Sequence, residues 1–255
     1  YEKELEKNPA DPAVWVKKGL ALGKLNRFEE AVLAFEKALQ KSPDDPTVWF
    51  SKGVALGSSG RHEEAIKAFS RALEINPDDS YIWFNKGVAL GSIGRYEEAI
   101  KAFEKTLELA PDDPFALLNK GIAFGELGRH EEAVQSYEKA AEIFPDDPSI
   151  WLNKGVALGS LGRNEEAMQD FDKALQLNSN DPSAWINKGV LLGEMNRYEE
   201  ALQVYEKAME LDPDNPSAWV NKSVALDELG RHEDALQAYE KAKELNPFIG
   251  GNDWN

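Results

Sequence analysis

The chain contains no cysteine. That removes disulfides, thiol nucleophiles and cysteine-held zinc or iron–sulfur centres. It has 3 histidines in 255 residues, too few for a histidine-built metal site. Basic residues are also scarce: 29 Lys and Arg face 46 Asp and Glu, for a net charge of −17. A phosphate backbone must be met by clustered cations, so this balance argues against a nucleic-acid partner. It argues against an anionic membrane surface for the same reason. No apolar run approaches the roughly 20 residues of a membrane span. Tyr1 opens the chain with no methionine and no signal-like segment, so the expectation is a cytoplasmic chain excised from a longer one. The hydrophobic fraction of 42% is enough for a packed fold and unlike a disordered composition.

The dominant feature is a period. Trp15, Trp49, Trp83, Trp151, Trp185 and Trp219 keep one 34-residue register, and Leu117 fills the gap. Residues 46–79 and 80–113 share 23 identities in 34 positions. Seven full units follow: 12–45, 46–79, 80–113, 114–147, 148–181, 182–215 and 216–249. Residues 1–11 read as the end of the second helix of a preceding unit, and 250–255 as a tail outside the pattern. A period of this length means stacked supersecondary units, none able to bury its apolar face alone.

Punctuation residues divide each unit in two. Asp45-Pro46 and Asp147-Pro148 read as helix starts, with Asp as N-cap and Pro at the first helical position. Gly60, Gly94, Gly128, Gly162 and Gly230 mark the point where that helix must stop and reverse. Each unit is therefore helix A, a tight turn, helix B and an Asp-rich turn. A second glycine series, Gly19, Gly53, Gly87, Gly121, Gly155 and Gly189, falls inside helix A. Glycine there costs about 1 kcal/mol against alanine, so its recurrence points to close approach of helix B. Helix B supplies small residues and a ring, as in Ala65, Phe69 and Ala72.

The series Trp49, Gly53, Ala65, Phe69, Ala72 and Pro77, repeated along the chain, resembles the tetratricopeptide repeat family. The departures are Leu117 for Trp, Thr106 for Ala, Ser179 for Pro and Ser223 for Gly. The resemblance implies an all-α solenoid, a right-handed superhelix of helix–turn–helix repeats with helix A lining a concave groove. It implies a non-catalytic scaffold that holds an extended segment of a partner protein. The alternative is a substrate-recognition arm of a larger enzyme such as a glycosyltransferase. No cofactor is expected.

Few residues carry chemistry. His62, His130 and His232 share one slot with Phe28, Tyr96, Asn164 and Tyr198, which is the tolerance of a surface turn. The recurring Glu-Glu and Asp-Asp pairs suit helix N-terminal dipoles and caps. Arg27, Arg61, Arg95, Arg129, Arg163, Arg197 and Arg231 form a slot expected to serve the last carbonyls of helix A or a nearby Glu. The binding candidates lie on helix A. Asn85, Asn119, Asn153, Asn187 and Asn221 recur two residues after the Trp or Leu slot. An amide offers the donor and the acceptor that a peptide backbone unit needs. The series resembles the asparagine ladder of the repeat domain of O-linked N-acetylglucosamine transferases. Phe50, Phe84, Leu118 and Leu152 flank it, and Tyr81 and Phe115 add rings where other units carry Ala, Thr or Ser. The rings are read as a binding patch. The chain lacks the basic clusters with which related domains grip an acidic C-terminal tail, so acidic peptides are not the expected ligand. The half-hairpin Tyr1–Pro9 and the uncapped last unit together suggest weak head-to-tail self-association.

Overall fold

The structure is a computed structural model in which residues 11–249 are described. The expectations that rest on Tyr1–Pro9 and on residues 250–255 lie outside the described residues. The fold is all-α, and no strand occurs among the described residues. The chain divides into two compact units, Tyr1–Arg129 and His130–Asn255. The first holds α1 (Pro12–Lys24), α2 (Phe28–Leu39), α3 (Pro46–Ser58), α4 (His62–Ile75), α5 (Ser80–Gly91), α6 (Tyr96–Leu109) and α7 (Pro114–Glu126). The second holds α8 (His130–Ile143), α9 (Pro148–Ser160), α10 (Asn164–Leu177), α11 (Pro182–Glu194), α12 (Tyr198–Leu211), α13 (Pro216–Glu228) and α14 (His232–Leu245). Odd numbers are helices A and even numbers helices B. Within each unit every helix packs on its chain neighbours, and successive helices A also touch.

Local chemistry sets the helix ends. The Asp45 carboxylate accepts from the backbone N–H of Thr47 at 2.9 Å and of Val48 at 3.3 Å. Asp79, Asp113, Asp147, Asp181 and Asn215 cap their helices in the same way. At the other end of helix A, Gly60 adopts φ +78° and the Arg61 N–H reaches back to the Leu56 carbonyl at 2.9 Å. This is the left-handed helix stop. Where glycine is missing, Asn26 and Asn196 take the same conformation at φ 58°. Asparagine is the side chain that tolerates it best.

The mid-helix glycines do make room for rings. A Cβ built on Gly53 would lie 2.5 Å from Cε1 of Phe69, and one on Gly87 would lie 2.6 Å from Cε1 of Phe103. Gly19, Gly155 and Gly189 stand equally close to Phe35, Phe171 and Tyr205. Each ring is almost completely buried. At Ser223 the glycine is absent: its hydroxyl bonds the Val220 carbonyl at 2.7 Å, and Tyr239 opposite is only half-buried.

The tryptophans pack against the core from its edge. Phe69 and Ala72 are core, whereas Trp49 is half-buried at the edge of that core. Its indole N–H donates to the Pro43 carbonyl at 2.7 Å. Trp83, Trp151 and Trp219 bond Pro77, Pro145 and Pro213 in the same way. Each indole thus ties helix A to the turn before it. The bond uses a main-chain oxygen, so Ser179 serves Trp185 as well as proline would, at 2.9 Å. Leu117 has no indole, and two turns further on Phe124 replaces the leucine of the other units. Phe124 is buried, with Lys120 and Arg129 over its ring at 5.5 and 4.5 Å. The missing ring is made good at another slot.

One core position carries a charge. Asp170 is 6% exposed in a slot that holds Ala34, Ala68, Ala102 and Ala238 elsewhere. It pairs with Lys154 at 3.2 Å, yet its Oδ2 has no hydrogen-bond partner. Burial pushes its carboxyl upward, and the Lys154 charge only partly opposes this. The folded state therefore favours the protonated acid, so the ionised form costs stability once pH exceeds the unfolded value. Asp170→Ala is expected to raise the urea midpoint at neutral pH. The gain should shrink toward zero as pH falls below about 4, where the unfolded chain also binds the proton. A gain of equal size at both pH values would contradict this assignment.

Candidate functional site

Helix A presents a stripe at i, i+4 and i+7, which share one helical face. In the first unit it reads Tyr81, Asn85 and Val88 on α5, and Phe115, Asn119 and Ile122 on α7. In the second it reads Ser149, Asn153 and Val156 on α9, Ser183, Asn187 and Val190 on α11, and Ser217, Asn221 and Val224 on α13. Val88, Val156 and Val224 are exposed, although the helices around them bury most of their aliphatic residues. Each asparagine is half-buried. Asn85, Asn119 and Asn153 donate one amide N–H to the carbonyl of Tyr81, Phe115 and Ser149, all at 2.8 Å. That bond fixes the amide on its own helix and does not use Oδ1 or the second N–H.

The aromatic candidates divide into two groups. Tyr81 is 75% exposed and Phe115 is 52% exposed. Phe50 and Phe84 instead turn inward, with ring centroids 5.9 Å from those of Phe69 and Phe103. They are half-buried parts of the core. Leu118 is buried at 9% exposure and Leu152 is half-buried. The expectation of one four-ring patch is therefore corrected to Tyr81 and Phe115. Tyr81 and Phe84 share α5 but leave it on different sides, one exposed and one toward the core. Val88, Val156 and Val224, each three residues after its asparagine, stay exposed beside them.

In the second unit a notch of about 140 Å³ opens between α9 and α11. Asn187, Val156, Val190 and Glu194 line it over a floor that includes Phe171. A larger recess of about 450 Å³ lies on α13 and α14, lined by Val224, Asp227, His232, Leu236 and Tyr239. There His232 Nδ1 and Asp227 Oδ1 are 2.6 Å apart.

The other charged slots are structural. Arg61 grips Glu64 with two parallel bonds of 2.7 Å, and Arg95–Glu98, Arg163–Glu166 and Arg197–Glu200 repeat the fork. The guanidinium holds the Glu64 carboxyl below the usual carboxylate range. The arginine thus serves a nearby Glu, one of the two expected roles. Among the described residues no group of His, Asp and Glu is arranged to hold a metal ion. No helix among them is long and apolar enough to cross a membrane.

Capped helix pairs, ring-receiving glycines and the 34-residue register define a class of helical-repeat protein. The sequence profile of the tetratricopeptide repeat family matches residues 1–46, 16–80, 50–114, 84–148, 118–182 and 186–248. The chain belongs to that family. No curated protein matches it. Among solved structures it is similar to YrrB, described as a TPR protein with an unusual peptide-binding site. The match has 27% identity and a TM-score of 0.57, and covers 72% of this chain and 95% of YrrB. It is also similar to a tetratricopeptide repeat protein from Parabacteroides merdae, at 17% identity and TM-score 0.77, over 92% of this chain and 93% of that one. PilF of Pseudomonas aeruginosa matches at 22% identity and TM-score 0.67, over 80% of this chain and 92% of its own. The last two show likeness of fold alone.

Proposed function

We propose that this chain is a non-catalytic scaffold whose helix A stripe holds an extended segment of a partner protein. The observation that carries the reading is the pairing of a helix-anchored asparagine with an exposed valine one turn on, at Asn85 and Val88 and again at Asn153 and Val156. An extended peptide presents backbone N–H and C=O groups at regular intervals. Asn Oδ1 accepts from the former, and the free amide N–H donates to the latter. The valines contribute apolar contact with little demand on ligand side chains. In the first unit, Tyr81 and Phe115 supply anchors of the kind that dominate binding energies. The lost Trp ring is replaced by Phe124, so these two exposed rings are not needed for that repair. The peptide-binding site named for YrrB is in keeping with this reading.

The test begins with selection from a displayed library of random, unstructured peptides against the full chain. The best peptide is then titrated by calorimetry. Asn85→Ala with Asn119→Ala should weaken binding by roughly 1–3 kcal/mol, because peptide backbone groups lose their partners. Phe50→Leu should leave affinity nearly unchanged, since that ring packs inward. Enrichment of no peptide, or equal affinity in the asparagine double variant, would reject the proposal.

A further inference from the structure

The lysine that follows each asparagine slot has an internal standard in every other repeat. Lys52, Lys86, Lys154, Lys188 and Lys222 lie over the tryptophan three residues earlier, with the ammonium between 4.8 and 6.0 Å from the ring. Most also meet a carboxylate. Lys52 pairs with Glu36 at 2.9 Å, Lys120 with Glu104 at 2.9 Å, Lys188 with Asp172 at 2.5 Å and Lys222 with Glu206 at 3.8 Å. In each case the acid stands sixteen residues earlier, on the preceding helix B. Lys154 pairs instead with Asp170, sixteen residues later. For Lys86 the two corresponding slots hold Ser70 and Ala102. No carboxylate among the described residues reaches it. Its ammonium is half-buried against the Trp83 ring, at 5.2 Å.

We infer that Lys86 is an acylation site, its amine being the member of this lysine series that attacks activated acyl donors such as acyl phosphates. The amine nitrogen forms a bond to the acyl carbon. The bond from that carbon to the phosphate oxygen breaks, and phosphate leaves with the electron pair. The proton released from nitrogen passes to the departing phosphate or to water. Two physical differences separate Lys86 from its counterparts. First, it is half-buried against the Trp83 ring with no acid in either corresponding slot. Burial pushes the ammonium downward in pKa, with Glu98 on α6 opposing and Arg95 assisting, and α4 contributes only the neutral Ser70 at its slot. Second, acylation leaves no ion-paired carboxylate behind. Removing the charge of Lys52 or Lys120 strands Glu36 or Glu104, whereas at Lys86 it strands no ion-paired acid and gives up the contact with the Trp83 ring. Serine in the acid's slot also leaves more room for a donor than glutamate would.

The experiment is competitive labelling of the full chain with trace acetic anhydride across a pH series, read at each lysine by mass spectrometry. The readout is each lysine's rate near pH 8 divided by its own rate near pH 11, which cancels differences in exposure. Lys86 should exceed Lys52, Lys120, Lys188 and Lys222 in this ratio by more than the replicate scatter, since each of those has the paired acid that Lys86 lacks. Ser70→Glu supplies the missing acid and should abolish the excess, while Ser70→Ala should keep it. With acetyl phosphate as donor, Lys86 should be the first of these lysines acetylated. A ratio at Lys86 no higher than in its counterparts, or an excess that survives Ser70→Glu, would overturn the inference.

Discussion

Phe69→Ala is expected to lower the stability of the first unit by about 3–5 kcal/mol, the usual loss for a buried phenylalanine. The ring is 2% exposed and fills the space opened by Gly53. It also supports Phe50 at a centroid distance of 5.9 Å. In stacked repeats each unit contacts only its neighbours, so the damage should be local. Hydrogen exchange is the measurement: amides of α2 to α5 should lose protection, and those of α11 to α14 should keep theirs. Equal loss throughout the chain would show that stability is pooled across it.

Gly53→Ala should also destabilise, although alanine is the better helix former by about 1 kcal/mol. The new methyl would sit 2.5 Å from Phe69 Cε1 and 2.7 Å from Cδ1. Something must shift, and the ring is 2% exposed within a core that also holds Ala65, Ala68 and Ala72. Overpacking of this kind typically costs 1–3 kcal/mol, roughly, which exceeds the propensity gain. Gly23→Ala is the contrast. A Cβ there meets nothing within 4 Å, so the propensity gain should appear as about 0.5–1 kcal/mol of added stability. Combining Gly53→Ala with Phe69→Leu should cost less than the two changes added together, because the smaller side chain vacates the contested space. Urea denaturation of the four variants decides it. Stabilisation by Gly53→Ala would show that the close approach of α3 and α4 is not as described.

Much of this architecture was legible from residue type and spacing. Asp before Pro, and glycine in the middle of a unit, act through a few backbone atoms close by in the chain. Caps and left-handed stops could therefore be placed without tertiary information. The mid-helix glycines signalled a close approach because their cost within an isolated helix needed an explanation. What needed the structure was direction. Phe50 and Phe84 sit next to the asparagine slots in sequence, yet about 100° of helical turn per residue sends them into the core while Tyr81 and Phe115 remain outside. The tryptophans look like core residues by size, but an indole N–H must find an acceptor, and the nearest is the carbonyl of the preceding turn. The repair of Leu117 by Phe124 joins side chains two turns apart whose equivalence appears only once they are packed. The charge at Asp170 and the missing partner of Lys86 are visible as letters in the sequence. Only packing decides that one is a buried carboxylate with an unsatisfied oxygen and the other a half-buried cation without an acid, because the dielectric around a charge is set by what the whole fold places there.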